Sequence, residues 1–109
     1  MSTFTHKTLA LLQLASASAV DICDPGAGET YLVHNITLHN TNTTTESVNL
    51  LKNNGTTGFK ILNTSLASNE TLIISWSNDG LILDGSNKLQ GYTTTASKVT
   101  CDISGTMVV

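Results

Sequence analysis

Three histidines (His6, His34, His39), two cysteines (Cys23, Cys101) and eight carboxylates are the side chains of this 109-residue chain with chemistry to offer. A metal pair needs histidines on one face, or a loop partner. Strand alternation sets His34 and His39 on opposite faces, because their positions differ in parity. His34 falls on the apolar side of its segment. It reads as a hydrogen-bonded core or interface residue rather than a ligand, and His39 reads as a solvated rim residue. Asp79 and Asp84 stand in neighbouring turns beside Asn78 and Asn87. Oxygen donors grouped in this way are what calcium takes. Asp and Asn are also what such turns require for their own backbone, and the turn reading is preferred.

Catalytic signatures are missing. The sequence holds no G-x-S-x-G elbow, no G-x-G-x-x-G and no Walker A loop. Gly26-Ala27-Gly28 follows Pro25 and reads as a turn, not a phosphate cradle. Cys23 has no neighbouring basic group to activate it. No catalytic, cofactor-binding or metal residue is assigned, no cofactor is expected, and the chain is expected not to be an enzyme.

The elements that carry these side chains follow from composition. Charged residues make up 12% of the chain, the net charge is -3, and all five basic residues are lysine. A nucleic-acid partner is therefore not expected, since phosphates demand a basic patch. Thr, Ser and Asn number 18, 11 and 10. Such a composition disfavours a helical bundle. At 39% hydrophobic residues the chain can fill one core and is not a disordered tail. No run approaches the ~20 apolar residues of a membrane-spanning helix, and no membrane partner is expected.

Residues 9–14, followed by the small residues 15–19, imitate a signal peptide with Lys7 ahead of them. The apolar run is short and Gln13 interrupts it, so a first strand is preferred, with a helix over 8–19 as the weaker alternative. Five N-x-[ST] sequons, at Asn35, Asn42, Asn54, Asn63 and Asn69, are what abundant Asn, Ser and Thr produce by chance.

Turn signals recur along the chain at Asp24-Pro25-Gly26, Asn40-Thr41-Asn42, Asn53-Asn54-Gly55, Ala67-Ser68-Asn69, Asn78-Asp79-Gly80 and Asp84-Gly85-Ser86-Asn87. Between them the apolar period is two. This spacing predicts strands near 6–14, 18–23, 30–40, 46–52, 57–63, 70–77, 80–84, 88–93 and 97–105. The expected fold is an all-β antiparallel β-sandwich, jelly-roll-like, with eight or nine short strands in a single domain over 1–109. Residues 1–7, polar and threonine-rich, are a candidate extended arm.

Within this pattern, residues 32, 34, 36 and 38 share an inward face, and so do 99, 101 and 103. Inward Val20 and Ile22 turn Cys23 outward, so two free thiols are expected, Cys101 in the core and Cys23 near the surface. Leu51, Leu62, Ile73 and Ile82 fall on nominally outer faces, where large apolar side chains imply contact with another protein. Trp76, at the end of its strand, reads as core, with a second reading as an interface anchor. These five residues are the expected interface. Trp76 exposed beside Asp79 would instead revive a carbohydrate-binding module.

The order of segments resembles a group of small structural proteins of tailed bacteriophages. The residues that carry the resemblance are Asn35-Ile36-Thr37-Leu38-His39-Asn40-Thr41, Val48-Asn49-Leu50, the stretch 61–72, the stretch 81–99 and Ile103-Ser104-Gly105. Asp84-Gly85-Ser86-Asn87 departs from an Ala-Gly-Asp turn common at that point. These motifs are core and turn patterns that cover nearly the whole chain. The resemblance implies a virion component: a head decoration protein, a head fibre, or a neck or tail adaptor. It implies assembly in the host cytoplasm on a major capsid protein or other virion proteins, as a homo-oligomer with a trimer favoured.

Overall fold

The computed structural model describes residues 3–16, 18–78 and 80–109. Nine strands follow in chain order: β1 (Phe4–Gln13), β2 (Val20–Cys23), β3 (Thr30–Asn40), β4 (Glu46–Asn53), β5 (Gly58–Leu66), β6 (Thr71–Ser75), β7 (Leu81–Leu83), β8 (Lys88–Thr93) and β9 (Val99–Val108). They form two antiparallel sheets. One has the order β1-β9-β3-β6, with β7 also on β3; the other has the order β2-β8-β4-β5. Strands β6 and β7 lie end to end along β3, pairing with residues 35–39 and 31–33 respectively.

The pairing is nested. β1 joins β9, β2 joins β8, β3 joins β6 and β7, and β4 joins β5. One long antiparallel ribbon has therefore rolled into two facing sheets, which is the jelly roll. The β-sandwich expected from alternation is the observed fold. Most pairings are remote in sequence, so closure entropy precedes the reward of packing and folding is slow for a chain of this size.

Turn chemistry explains the breaks. Positive φ occurs at Asn69, Asn78 and Ser97 among non-glycine residues and at Gly28, Gly55 and Gly80. Asn tolerates the left-handed region better than other side chains do. At 53–57 the Asn54 side-chain Oδ1 accepts the backbone N–H groups of Thr56 and Thr57, at 3.1 and 2.9 Å.

The core lies between the sheets. Val33, Ile36, Leu38, Val99, Cys101 and Ile103 from one sheet meet Ile22, Cys23, Val48, Leu50, Leu66 and Leu89 from the other, with Leu14 and Leu83 at the ends. Two buried polar residues fix the corner between the sheets. Asn40, fully buried, donates its amide to the carbonyls of Thr44, Leu66 and Ala67. Glu46, also buried, accepts from Asn42 and from the backbone of Thr95.

Register shifts in β2, β3 and β5 alter the expected facing, and a fourth lies in β1 between Thr8 and Ala10. In β3 the register with β9 shifts between Val33 and Asn35, leaving His34 unpaired. A bulge reverses parity from that point. Val33 therefore points inward with Ile36 and Leu38, and Leu32 and His34 do not. In β2 the shift between Asp21 and Cys23 turns Cys23 into the core, where it is 2% exposed, rather than toward the surface. In β5 a shift opposite Leu50 and Leu51 leaves Ile61 unpaired and directs Leu62 inward. Both cysteines are free and buried.

Residues 4–7, read in sequence as part of an arm, are paired in β1 with residues 105–108 of β9. The backbones of Thr3 and Val109 extend the ladder by two hydrogen bonds. Met1 and Ser2 of the expected arm, Ala17 of the signal-like stretch and Asp79 of the calcium and sugar readings lie outside the described residues.

Candidate interaction surface

The outer face of the β1-β9-β3-β6/β7 sheet can be read row by row across the strands. Phe4 stands beside Val108 and Thr30. His6 stands beside Thr106, Leu32 and Ile82. Thr8, Ser104, Asn35 and Ser75 form the next row, followed by Leu11, Asp102, Thr37 and Ile73, and last by Gln13, Thr100, His39 and Thr71. Side-chain bonds within rows confirm this facing. Ser75 Oγ donates to Asn35 Oδ1 at 2.7 Å, and His39 Nδ1 contacts Thr71 Oγ1 at 2.7 Å.

This face is threonine-rich and apolar at intervals. Phe4, Leu11 and Ile73 are 64%, 66% and 63% exposed, and Ile82 is 43% exposed. Asp102 is the one carboxylate in these rows, and they hold no lysine. The outer face of the β2-β8-β4-β5 sheet is different. There Lys88 bridges Asp21 at 3.1 Å, and Gln90 donates to Asp21 at 2.8 Å. The Gln90 and Lys88 contacts hold the Asp21 carboxyl below its ordinary value. The outer face of the first sheet thus leaves Phe4, Leu11, Ile73 and Ile82 to water, while the exposed apolar side chains of the second, Val20, Phe59 and Ile61, lie on its edge strands β2 and β5.

The five residues singled out in the sequence separate into three places. Ile73 and Ile82 lie on the apolar outer face. Leu51 lies on the opposite sheet, half-buried, beside Gln90 across the ladder. Leu62 and Trp76 pack against the core. With Leu50, Ile61, Ile74 and Leu81 they line a cleft of roughly 240 Å³, where the free edges β5 and β6/β7 meet. Trp76 therefore follows the core reading. Phe4, Leu11 and Leu32 belong to the apolar face, and sequence reasoning missed them. The signal for Leu11 was its place in an apolar run, but the shift between Thr8 and Ala10 that turns it outward leaves no trace in composition.

His34 and His39 share this outer face, contrary to the opposite faces expected from parity, because the His34 bulge absorbs one residue. Asp84 is occupied by its own turn: Oδ1 accepts the Ser86 N–H at 2.8 Å, and the Asp84 N–H donates to Asn87 Oδ1 at 2.9 Å. The Ser86 hydrogen bonds hold the Asp84 carboxyl below the ordinary aspartate value. Among the described residues no three His, Cys, Asp or Glu side chains gather in metal-ligating range.

No family model matches the sequence. No curated protein matches it either. Solved structures do resemble it in fold. A pilus subunit of Bacillus endospore appendages, from a family of disulfide-linked pili, superposes with TM-score 0.53 at 15% identity, over 99% of this chain and 88% of the pilus chain. A chain of the infectious bursal disease virus T13 particle superposes with TM-score 0.50 at 9% identity, over 98% of this chain and 30% of the viral one. The shared feature is the two-sheet β-sandwich, which spans essentially the whole of this chain and about a third of the viral chain.

Proposed function

We propose that this chain is a structural subunit of a virus particle, and specifically a capsid decoration protein of a tailed bacteriophage. The observation that carries the reading is the asymmetry of the sandwich. One sheet faces outward with Phe4, Leu11, Leu32, Ile73, Ile82 and Val108 among threonines and a single carboxylate. The other faces outward with lysines and amides. The apolar sheet docks on the particle and the polar sheet faces solvent. The role is assembly rather than catalysis. The sequence resemblance to phage structural proteins supports it, and a pilus subunit and a viral capsid chain use the same fold.

Area bears on the stoichiometry. Four strand positions spaced about 4.8 Å apart, each about ten residues long at about 3.3 Å per residue, give a footprint of roughly 600 Å². A stable contact buries about 800 Å² on each partner. One copy thus sits at the low end of a durable attachment, and linked copies gain avidity. A closed trimer on three-fold points of the head lattice meets both requirements.

The disulfide linkage of the pilus family is not carried over, because Cys23 and Cys101 are both buried. The test is binding of purified protein to expanded heads that lack it. Saturable binding at many lattice points supports the decoration role. Binding as a single ring at one vertex makes the chain a neck or tail adaptor instead. Failure to bind heads or tails removes the virion reading.

A further inference from the structure

The two long sides of the sandwich are closed differently. Beside β1 and β2 the chain itself crosses between the sheets. The Leu14 N–H donates to the Val99 carbonyl, and the Thr93 N–H donates to the Ala15 carbonyl. Ser16 bridges Thr93, and fully buried Leu14 plugs the gap. On the opposite side the 67–70 turn crosses at one end, where β5 passes into β6. Beyond it lies the cleft lined by Leu50, Ile61, Leu62, Ile74, Trp76 and Leu81. β5 is the rim of that side. Among the described residues it pairs with β4 alone, so the outer backbone edge of a nine-residue strand is free. The register shift opposite Ile61 bends its start, and Leu62–Leu66 beyond it is regular. Edge strands are commonly blunted by charges or proline. Lys60 is the one charged residue of β5, β6 and β7 hold none, and no proline occurs in the three. Phe59 and Ile61 on this rim are 56% and 43% exposed.

We propose that β5 is a self-association edge. The β5 strand of a second copy adds to it antiparallel across a two-fold axis, and the two β2-β8-β4-β5 sheets join into one eight-stranded sheet. A free edge calls for a strand, because a strand supplies the row of donors and acceptors that the edge lacks. Antiparallel strands are related by a two-fold axis, so such an edge is complementary to itself. Charge does not oppose the pairing. With the axis within Leu62–Leu66, the two Lys60 positions lie at least four residues apart along the strands, about 13 Å, beyond the screening length of about 8 Å at physiological salt. Area suffices as well. Nine residues at about 3.3 Å each, on a sandwich about 20 Å thick with its side chains, give roughly 600 Å² per copy and about 1,200 Å² in total, above the ~1,000 Å² of a biological contact. The contact covers Ile61 and closes the cleft beneath it. The axis stands normal to the sheets, so both copies turn the Leu11 and Ile73 face to the same side and double that footprint. The pairing does not depend on the virion reading. On a head lattice, local two-fold points lie between the three-fold points, and the β5 contact there links neighbouring trimers.

The test is analytical ultracentrifugation of the purified chain from low micromolar to submillimolar concentration, with amide hydrogen exchange across the same range. The expected result is concentration-dependent self-association, with exchange slowing in Leu62–Leu66 as it proceeds. Ile61→Lys and Asn63→Lys put charge on the edge and each weaken association by more than about tenfold. Leu11→Lys and Ile73→Lys, on the outer face of the other sheet, leave it unchanged. Circular dichroism of each variant checks that the fold is retained. A chain that stays monomeric throughout, an oligomer that Ile61→Lys and Asn63→Lys leave intact, or one that Leu11→Lys or Ile73→Lys dissolves would each overturn the proposal. Binding of heads by a chain that stays monomeric keeps the virion reading and removes this one.

Discussion

Glu46 and Thr95, 49 residues apart, are joined by a 2.8 Å hydrogen bond in which the Thr95 backbone N–H donates to Glu46 Oε1. The other carboxylate oxygen accepts the Asn42 amide at 3.0 Å, and the Asn42 N–H donates to Asn40 Oδ1 at 2.8 Å. The chain of bonds runs from the end of β3 to the start of β4 and on to the loop after β8, so it ties both sheets at one corner. Glu46→Ala removes the acceptor and leaves the part-buried Thr95 and Asn42 donors without it. It is expected to lower stability by about 2 kcal/mol, measured by urea unfolding at neutral pH. A loss under about 0.5 kcal/mol would show that water replaces the carboxylate at no cost.

The same carboxylate gives the fold a pH dependence. Burial pushes the Glu46 carboxyl up, but the Thr95 and Asn42 hydrogen bonds and the nearby Lys98 outweigh it, and the folded value lies below the ordinary 4.5. A depressed carboxyl stabilises the fold above its unfolded value, and that contribution drains away as pH falls through the folded value. Unfolding midpoints are therefore expected to decline below pH 4.5 in the wild type. The decline should be shallower in Glu46→Gln, whose lower stability is set at neutral pH because its amide faces the Asn42 donor. Parallel pH profiles for the two proteins would remove Glu46 from this role.

Gly105 sits where β9 passes the bulged strand β3. A Cβ there would lie 2.1 Å from the Leu32 carbonyl oxygen and 3.1 Å from Leu9 Cδ1. Backbone cannot yield as a flexible side-chain end does. Gly105→Ala is expected to destabilise by about 3 kcal/mol, read from denaturant melts, and to disturb the amide signals of residues 31–34. A near-neutral effect would mean that the strand spacing relaxes without cost.

Burial pushes both cysteine thiols up to about 12. The thiolate, not the thiol, reacts, so neither cysteine is expected to label with maleimide in the native state. Both should label after denaturation. Intact mass should not rise by 2 Da on reduction. Rapid native labelling of Cys23 would restore the surface position that simple alternation assigns to it.

Alternation and turn chemistry carried the fold a long way. All nine strands fall within about three residues of the positions read from the period of two, and Asn69, Gly55 and Gly80 have the positive φ that turn residues supply. Facing was legible only between irregularities. A bulge inserts one residue without changing composition, and each one inverts the parity beyond it. Cys23, Leu62 and Val33 were misplaced for that single reason. The meeting of His6 with His34 across Thr106 was invisible for a second reason: the two are distant in sequence, and only the β1–β9–β3 order brings them together. Asn40 read as a turn residue and Glu46 drew no reading, because nothing local distinguishes a buried polar staple from a solvated one.

The apolar face should tolerate charge as a folded monomer and not as an assembled one. Leu11→Lys and Ile73→Lys replace exposed side chains, so each is expected to shift stability by less than about 0.5 kcal/mol. Attachment should be lost in both, and wild-type attachment should be nearly insensitive to salt, because so few charges steer it. Lysine substitution of Gln90 on the polar sheet should change neither property.

The most direct measurement is a cryo-electron reconstruction of phage heads decorated with this chain, the assembly proposed above. The account predicts copies seated on the head lattice with the β1-β9-β3-β6/β7 sheet against the shell and the Asp21–Lys88 face toward solvent. Copies seated through the β2-β8-β4-β5 sheet, or particles without the chain, would contradict it.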